Sequence, residues 1–152
     1  MKTITVGNDT VGRNTIPISD IDCLHHSIVK KKPVIILHMK EGVKMTIFYW
    51  GENARLHDWR TIKKELEGEY FADFDNLVFR PEFVTISKKS QNVDEPPAIT
   101  IGFQWEFEHV RVFTDFHQME SEYGRLMRIL AQSKALLESL KMPYDPKNSE
   151  YV

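Results

Sequence analysis

Apolar and polar residues alternate strictly from Ala98 to Glu108. Ile99, Ile101, Phe103, Trp105 and Phe107 alternate with Thr100, Gly102, Gln104, Glu106 and Glu108. Side chains on a strand alternate between faces, so this pattern predicts a strand with one apolar face. After Glu108 the phase reverses. Val110 and Val112 become the apolar set, while His109, Arg111 and Phe113 take the other face. Read as one strand from Ala98 to Phe113, the reversal implies a β-bulge or a change of packing partner. It also turns Arg111 to the side of the aromatic row, beside apolar rings. From Asp115 the period changes. Phe116, Met119, Tyr123, Leu126, Leu130, Ser133, Leu137 and Leu140 recur at alternating intervals of three and four, a heptad seam. This predicts a long helix over 115–141, capped by Asp115 with Gln118 and stopped by Pro143. Met127, Ile129, Ala131 and Leu136 lie off the seam. Either the helix packs across the chain's own sheet alone, or, because two apolar faces call for two partners, it also pairs with a second subunit.

The rest of the chain reads as sheet with one inserted helix. Thr3–Val6 is a short strand and 7–14 a turn region rich in glycine and asparagine. Extended structure follows from Thr15 to Val29, with Ile16, Ile18, Ile21 and Cys23 facing inward and Pro17 marking an edge or a break. Lys30–Lys32 is a basic turn. Pro33–Lys40 and Val43–Trp50 form the clearest hairpin, turned at Glu41-Gly42. Bulk on both faces of the second run (Met45, Ile47 and Tyr49 against Phe48 and Trp50) predicts a central strand. Leu56, Trp59, Ile62 and Leu66 share one face of a helix over about 54–67, with Asn53 as its cap and Gly68 at its end. Tyr70–Asp75 is an acidic and aromatic connector. Leu77–Lys88 is a strand interrupted at Pro81, and 90–97 is a loop. The fold class is therefore α+β: an antiparallel β-sheet of about six strands, one inserted helix and a long C-terminal helix. All 152 residues are read as one domain, sheet-rich over 1–113.

Composition narrows the function classes. Hydrophobic residues make up 41% and charged residues 28%, as in an ordinary globular chain. No apolar run is long enough to span a bilayer, and 1–8 lacks the features of a signal peptide. The single Cys23 fits a reducing compartment, so a cytoplasmic location is expected. A net charge of −2 argues against duplex nucleic acid as a partner.

No Walker loop, Gly-x-Gly-x-x-Gly, Gly-x-Ser-x-Gly or zinc-type cysteine pair is present. No enzyme activity, catalytic residue, cofactor or metal is therefore expected. Asp20, Asp22, Cys23, His25 and His26 are dense in potential ligands, but alternation sends neighbours to opposite faces, and they read as surface residues. His109 and His117 could act as bases, yet no partner is evident in the sequence. Arginines and aromatics make the more informative set: Arg13, Arg55, Arg80 and Arg111, with Trp50, Phe79, Phe83, Trp105 and Phe113. Guanidinium groups fork onto phosphate and aromatic rings stack on bases, so together they suit a nucleotide-like anion.

The layout of antiparallel strands followed by a C-terminal helix resembles the phage anti-Thoeris sponge proteins. Val6-Gly7-Asn8 with Gly12-Arg13-Asn14, the Ile35-to-Trp50 hairpin and the final strand around Arg111 carry the likeness. The resemblance implies an oligomer, assembled here through Phe116 to Leu140, that sequesters cyclic ADP-ribose isomers without cleaving them. It would act in the host cytoplasm if phage-encoded, and deprive an anti-phage defence of its signal. On that plan Arg55, Phe83, Asn92 and Arg111 line the pocket, and with Arg80 from the arginine-aromatic set they are the expected ligand-binding residues. Two alternatives stand beside it. One is a pleckstrin-homology-like module for protein or lipid, from which the inserted helix departs. The other is a phosphodiesterase or nuclease using His109 or His117.

Overall fold

The computed structural model describes residues 2–89, 94–103 and 107–141, the side chains of 137, 140 and 141 excepted. The chain is α+β, with ten antiparallel strands and two α-helices among the described residues. In order these are β1 (Thr3–Asn8), β2 (Gly12–Pro17), β3 (Ile21–Val29), β4 (Lys32–Met39), β5 (Lys44–Phe48), α1 (Glu52–Glu65), β6 (Ala72–Phe74), β7 (Leu77–Phe79), β8 (Val84–Lys89), β9 (Ala98–Phe103), β10 (Glu108–Val112) and α2 (Phe116–Lys141). A five-stranded sheet in the order β5-β4-β3-β7-β6 lies at the centre.

Each face of that sheet is apolar for its own reason. Leu24, Leu37 and Val78 share one face by register. They pack with Ile4, Val6 and Ile16 of the β1–β2 hairpin and with Trp59, Ile62 and Leu66 at α1. Cys23, Leu77 and Phe79 point the other way. They pack with Ile99, Ile101 and Phe103 of the three-stranded sheet β10-β9-β8 and with Met119 and Leu126 of α2. Cys23 is thus a core residue, as its inward place in the strand pattern implies and unlike its reading within the Asp20–His26 group, and burial pushes its thiol well above the ordinary range.

The alternating stretch that reads as one strand is two. The Phe103 amide donates to the Phe107 carbonyl at 2.9 Å, and Glu108 lies opposite Gly102. The phase reversal therefore marks a hairpin, in which antiparallel partners share a face without keeping one period. His109 and Arg111 pair with Ile101 and Ile99 and so share the inward face. Arg111 does sit beside rings: its guanidinium lies 4.6 Å from the Phe113 centroid and 5.9 Å from that of Phe74.

Breaks elsewhere likewise raise the strand number above the sequence reading. Pro17 precedes a 3-10 turn at Ile18–Asp20, and Pro81 opens another at Pro81–Phe83. β5 is an edge strand, not a central one, so its Phe48 stands partly in solvent. The N-cap of α1 is Gly51 rather than Asn53, without a side-chain cap. Asp115 caps α2, its carboxylate accepting from the His117 amide at 3.0 Å, two residues on rather than three as the Asp115–Gln118 box would have it. The seam of α2 faces the chain's own core, with Met119, Leu126 and Leu130 buried. Lys88 of β8 pairs with Glu120 at 2.8 Å, and Arg125 donates to the Asp73 carbonyl at 2.8 Å. Among the described residues, no helix is long and apolar enough to cross a membrane.

Candidate functional site

Val29 and Lys32 close β3 onto β4 with only Lys30 and Lys31 between them. A two-residue loop that follows strand twist needs positive φ at both positions, which usually selects Asn-Gly. Here two lysines supply it, at φ 51° and 66°. Each left-handed side chain costs roughly 1–2 kcal/mol against the ordinary conformation. The tight turn sets three consecutive lysines, Lys30 to Lys32, at the end of the sheet.

The Tyr49 amide donates to the Pro33 carbonyl at 2.9 Å, which extends β5 alongside this turn. Trp50 follows and is 80% exposed, with Phe48 two residues back at 43%. The Lys32 ammonium lies 5.8 Å from the Trp50 ring centroid. Together with Thr10, Val11 and Tyr49 these residues line an open cleft of about 300 Å³.

The far wall of the cleft is held from below. Asp58 of α1 is the buried charged residue of the described chain. Its carboxylate accepts a bond from the Gly7 amide at 2.7 Å and a short one from the Tyr49 hydroxyl. Burial and then this bond push the Tyr49 hydroxyl far above its usual range. Gly7 is required here, since φ is +104° and an added Cβ would lie 1.9 Å from the Gly12 carbonyl oxygen. The β1–β2 hairpin that carries Thr10 and Val11 is thereby fixed to α1 and β5.

The residues expected to bind ligand are spread over the fold. Arg55 donates to the Ser27 carbonyl at 2.5 Å and lies 3.8 Å from Glu52. Arg80 donates to the carbonyls of Ile21 and Ile18, both at 2.7 Å, and stacks 4.5 Å over Phe71. These two arginines tie strands and turns together through backbone oxygens. Phe83 is half-buried in the 3-10 turn against which α2 packs. Arg111 belongs to the Phe74–Phe113 cluster. Arg13 pairs at 2.8 Å with Asp9 on an exposed turn. Asn92 and Trp105 lie outside the described residues. Of the aromatics in the expected set that are described, Trp50 alone is exposed, since Phe79 and Phe113 are core and Phe83 is half-buried. The lysine turn was legible as a basic turn but not as the neighbour of Trp50.

A second polar group lies between the sheets. His25 Nε2 is 3.2 Å from His38 Nε2, and the Phe107 ring packs on both. Nearby, His109 Nε2 lies 3.1 Å from a carboxylate oxygen of Asp75, a partner that the sequence did not reveal. His26 faces the other way, edge-on to Trp59. His117 is exposed at the start of α2. Among the described residues, no group of three or more His, Cys, Asp or Glu is arranged to hold a metal ion. No protein-family model, curated protein or solved structure matches the chain.

Proposed function

We propose that the chain is a non-catalytic binding protein for a nucleotide-type anion, held at the corner formed by Trp50 and the lysine turn. The observation that carries this reading is an indole 80% exposed beside a lysine ammonium, in a cleft of about 300 Å³. An indole this exposed departs from the high average burial of tryptophan. Stacking on a base is worth roughly 1–3 kcal/mol, and lysines supply point charges for phosphate. Small-molecule clefts begin at about this volume.

Within that class, the anti-Thoeris resemblance points to a cyclic ADP-ribose isomer. Sequestering it in the host cytoplasm would inhibit an anti-phage defence. Self-association through Phe116–Leu140 belongs to the same proposal, since Met127 and Ala131 stand exposed beside the buried seam of α2. Incubation with a cyclic ADP-ribose isomer, then heat denaturation and mass spectrometry of the supernatant, tests the reading. Recovery of intact ligand in proportion to protein supports it. Absence of retention, or recovery of a cleaved product, contradicts it. Native mass spectrometry of the whole chain tests the self-association, which a purely monomeric species would exclude.

The Asp75–His109 pair favours a second reading, acid–base chemistry on a phosphodiester. A carboxylate that holds one ring nitrogen orients the other for proton transfer. Product formed by the native chain and lost in both Asp75→Asn and His109→Gln would establish it. No product with cyclic or linear dinucleotides would remove it.

A further inference from the structure

His25 on β3 and His38 on β4 lie on the same face of adjacent strands, at the seam where the β9–β10 hairpin meets the five-stranded sheet. Their ring centroids are 5.3 Å apart, and the planes differ by 11°. The centroids are farther apart than the nitrogens by about two ring radii, so the imidazoles meet tip to tip, nearly in one plane. One Nε2 must then donate and the other accept. A single bridging proton sustains this contact whether the pair is neutral or carries one charge. Protonating both rings sets two N–H groups and two positive charges against each other.

Phe107 closes the pair from the hairpin side, with centroids 5.1 Å from His25 and 4.8 Å from His38. Phe103 packs on Phe107 at 5.4 Å and edge-on to Phe79 of β7. Among the described residues, the titratable groups around the pair are Lys44 opposite His38, His109 on β10 with its partner Asp75, buried Cys23, and His26 on the reverse face of β3. Among the described residues, the groups outside the pair that lower it by their charge are Lys44, His109 and His26, each positive when charged. Burial comes first in lowering both histidines to about 4; next, for His25, comes His38 itself, ahead of His109, Lys44 and His26, and for His38 comes Lys44.

We propose that His25 and His38 form an acid-released clasp, in which protonation of both rings separates them, lifts Phe107 and frees the β9–β10 hairpin from the five-stranded sheet. The clasp stands whether or not the chain binds a nucleotide.

Histidine-ring and isoleucine-methyl NMR on the whole chain, from pH 7.5 to 3.5, tests it. His25 and His38 gain protons near pH 4 rather than near 6.5, and the Ile99 and Ile101 methyl signals move at the same pH. The Ile4 and Ile62 methyls, in the opposite core, stay in place. In His38→Gln, which keeps a neutral partner, the movement of Ile99 and Ile101 at pH 4 disappears. Titration of both rings near 6.5 overturns the proposal. So does movement of Ile4 and Ile62 together with Ile99 and Ile101, which is global unfolding, or an unchanged hairpin after both rings are charged. If His38→Gln does not fold, the titration of the native chain decides.

Discussion

Buried polar atoms set the sharpest requirements at single residues. Asp58 is taken from water with two donors as compensation, and Tyr49 provides one of them. Tyr49→Phe removes that donor and leaves the carboxylate short of a partner. The expected loss of stability is about 1–3 kcal/mol, read as a lower urea midpoint with an unchanged slope. An unaltered midpoint would show that the bond contributes nothing. Arg111 changes role. Its place beside apolar rings follows from the phase reversal at Glu108. Its distance in the fold from the Trp50 corner does not, because the sequence cannot say which segments become neighbours across the sheet. Arg111→Ala is expected to leave nucleotide affinity unchanged and to lower stability by ~0.5–2 kcal/mol through its lost ring contacts. Parallel titration and urea unfolding separate the two effects.

At the scale of elements, periodicity was a reliable guide where a segment has one environment. The 3-4 seam of α2, the apolar face of α1 and the β4–β5 hairpin follow from local pattern. The pattern failed where the chain turns without glycine or proline. Nothing at Phe103–Glu108 signals a hairpin, and Lys30-Lys31 lacks the residues that its backbone prefers. Trp50 read as central because bulk on both faces of β5 resembles burial, yet sheet order leaves that strand at the edge. The strain in the lysine turn has a measurable consequence. Lys31→Gly relieves a left-handed side chain worth about 1–2 kcal/mol, set against an entropic cost of ~0.5–1 kcal/mol for glycine. A modest rise in melting temperature is expected, together with weaker anion binding. A fall in melting temperature would mean that the turn is unstrained.

Across the whole molecule, two cores share the central sheet, and the face between that sheet and the β9–β10 hairpin carries the acid-sensitive groups. A histidine lowered by folding binds fewer protons than in the unfolded chain, so stability rises with pH across the window between the two values. His25 and His38 therefore contribute fully above about pH 6.5, and their contribution is lost as pH falls towards 4. Asp22, raised mainly by burial, works weakly in the opposite sense. Urea unfolding at pH 7, 5.5 and 4 should show stability falling at each step, and a flat or rising series would contradict this linkage. The layers themselves were legible as sheet plus helices. Which arginines meet which rings was not, because long-range register decides it. Arg55 and Arg80 turn out to satisfy backbone carbonyls that no local pattern reveals.

The central claim is that Trp50 and the lysine turn hold a nucleotide-type anion. Calorimetric titration of a cyclic ADP-ribose isomer into the native chain, Trp50→Ala and Arg111→Ala tests it most directly. Trp50→Ala should weaken binding by roughly 5- to 150-fold, the equivalent of one lost base stack of ~1–3 kcal/mol, while Arg111→Ala binds like the native chain. Undiminished affinity in Trp50→Ala, or a loss confined to Arg111→Ala, would contradict the account.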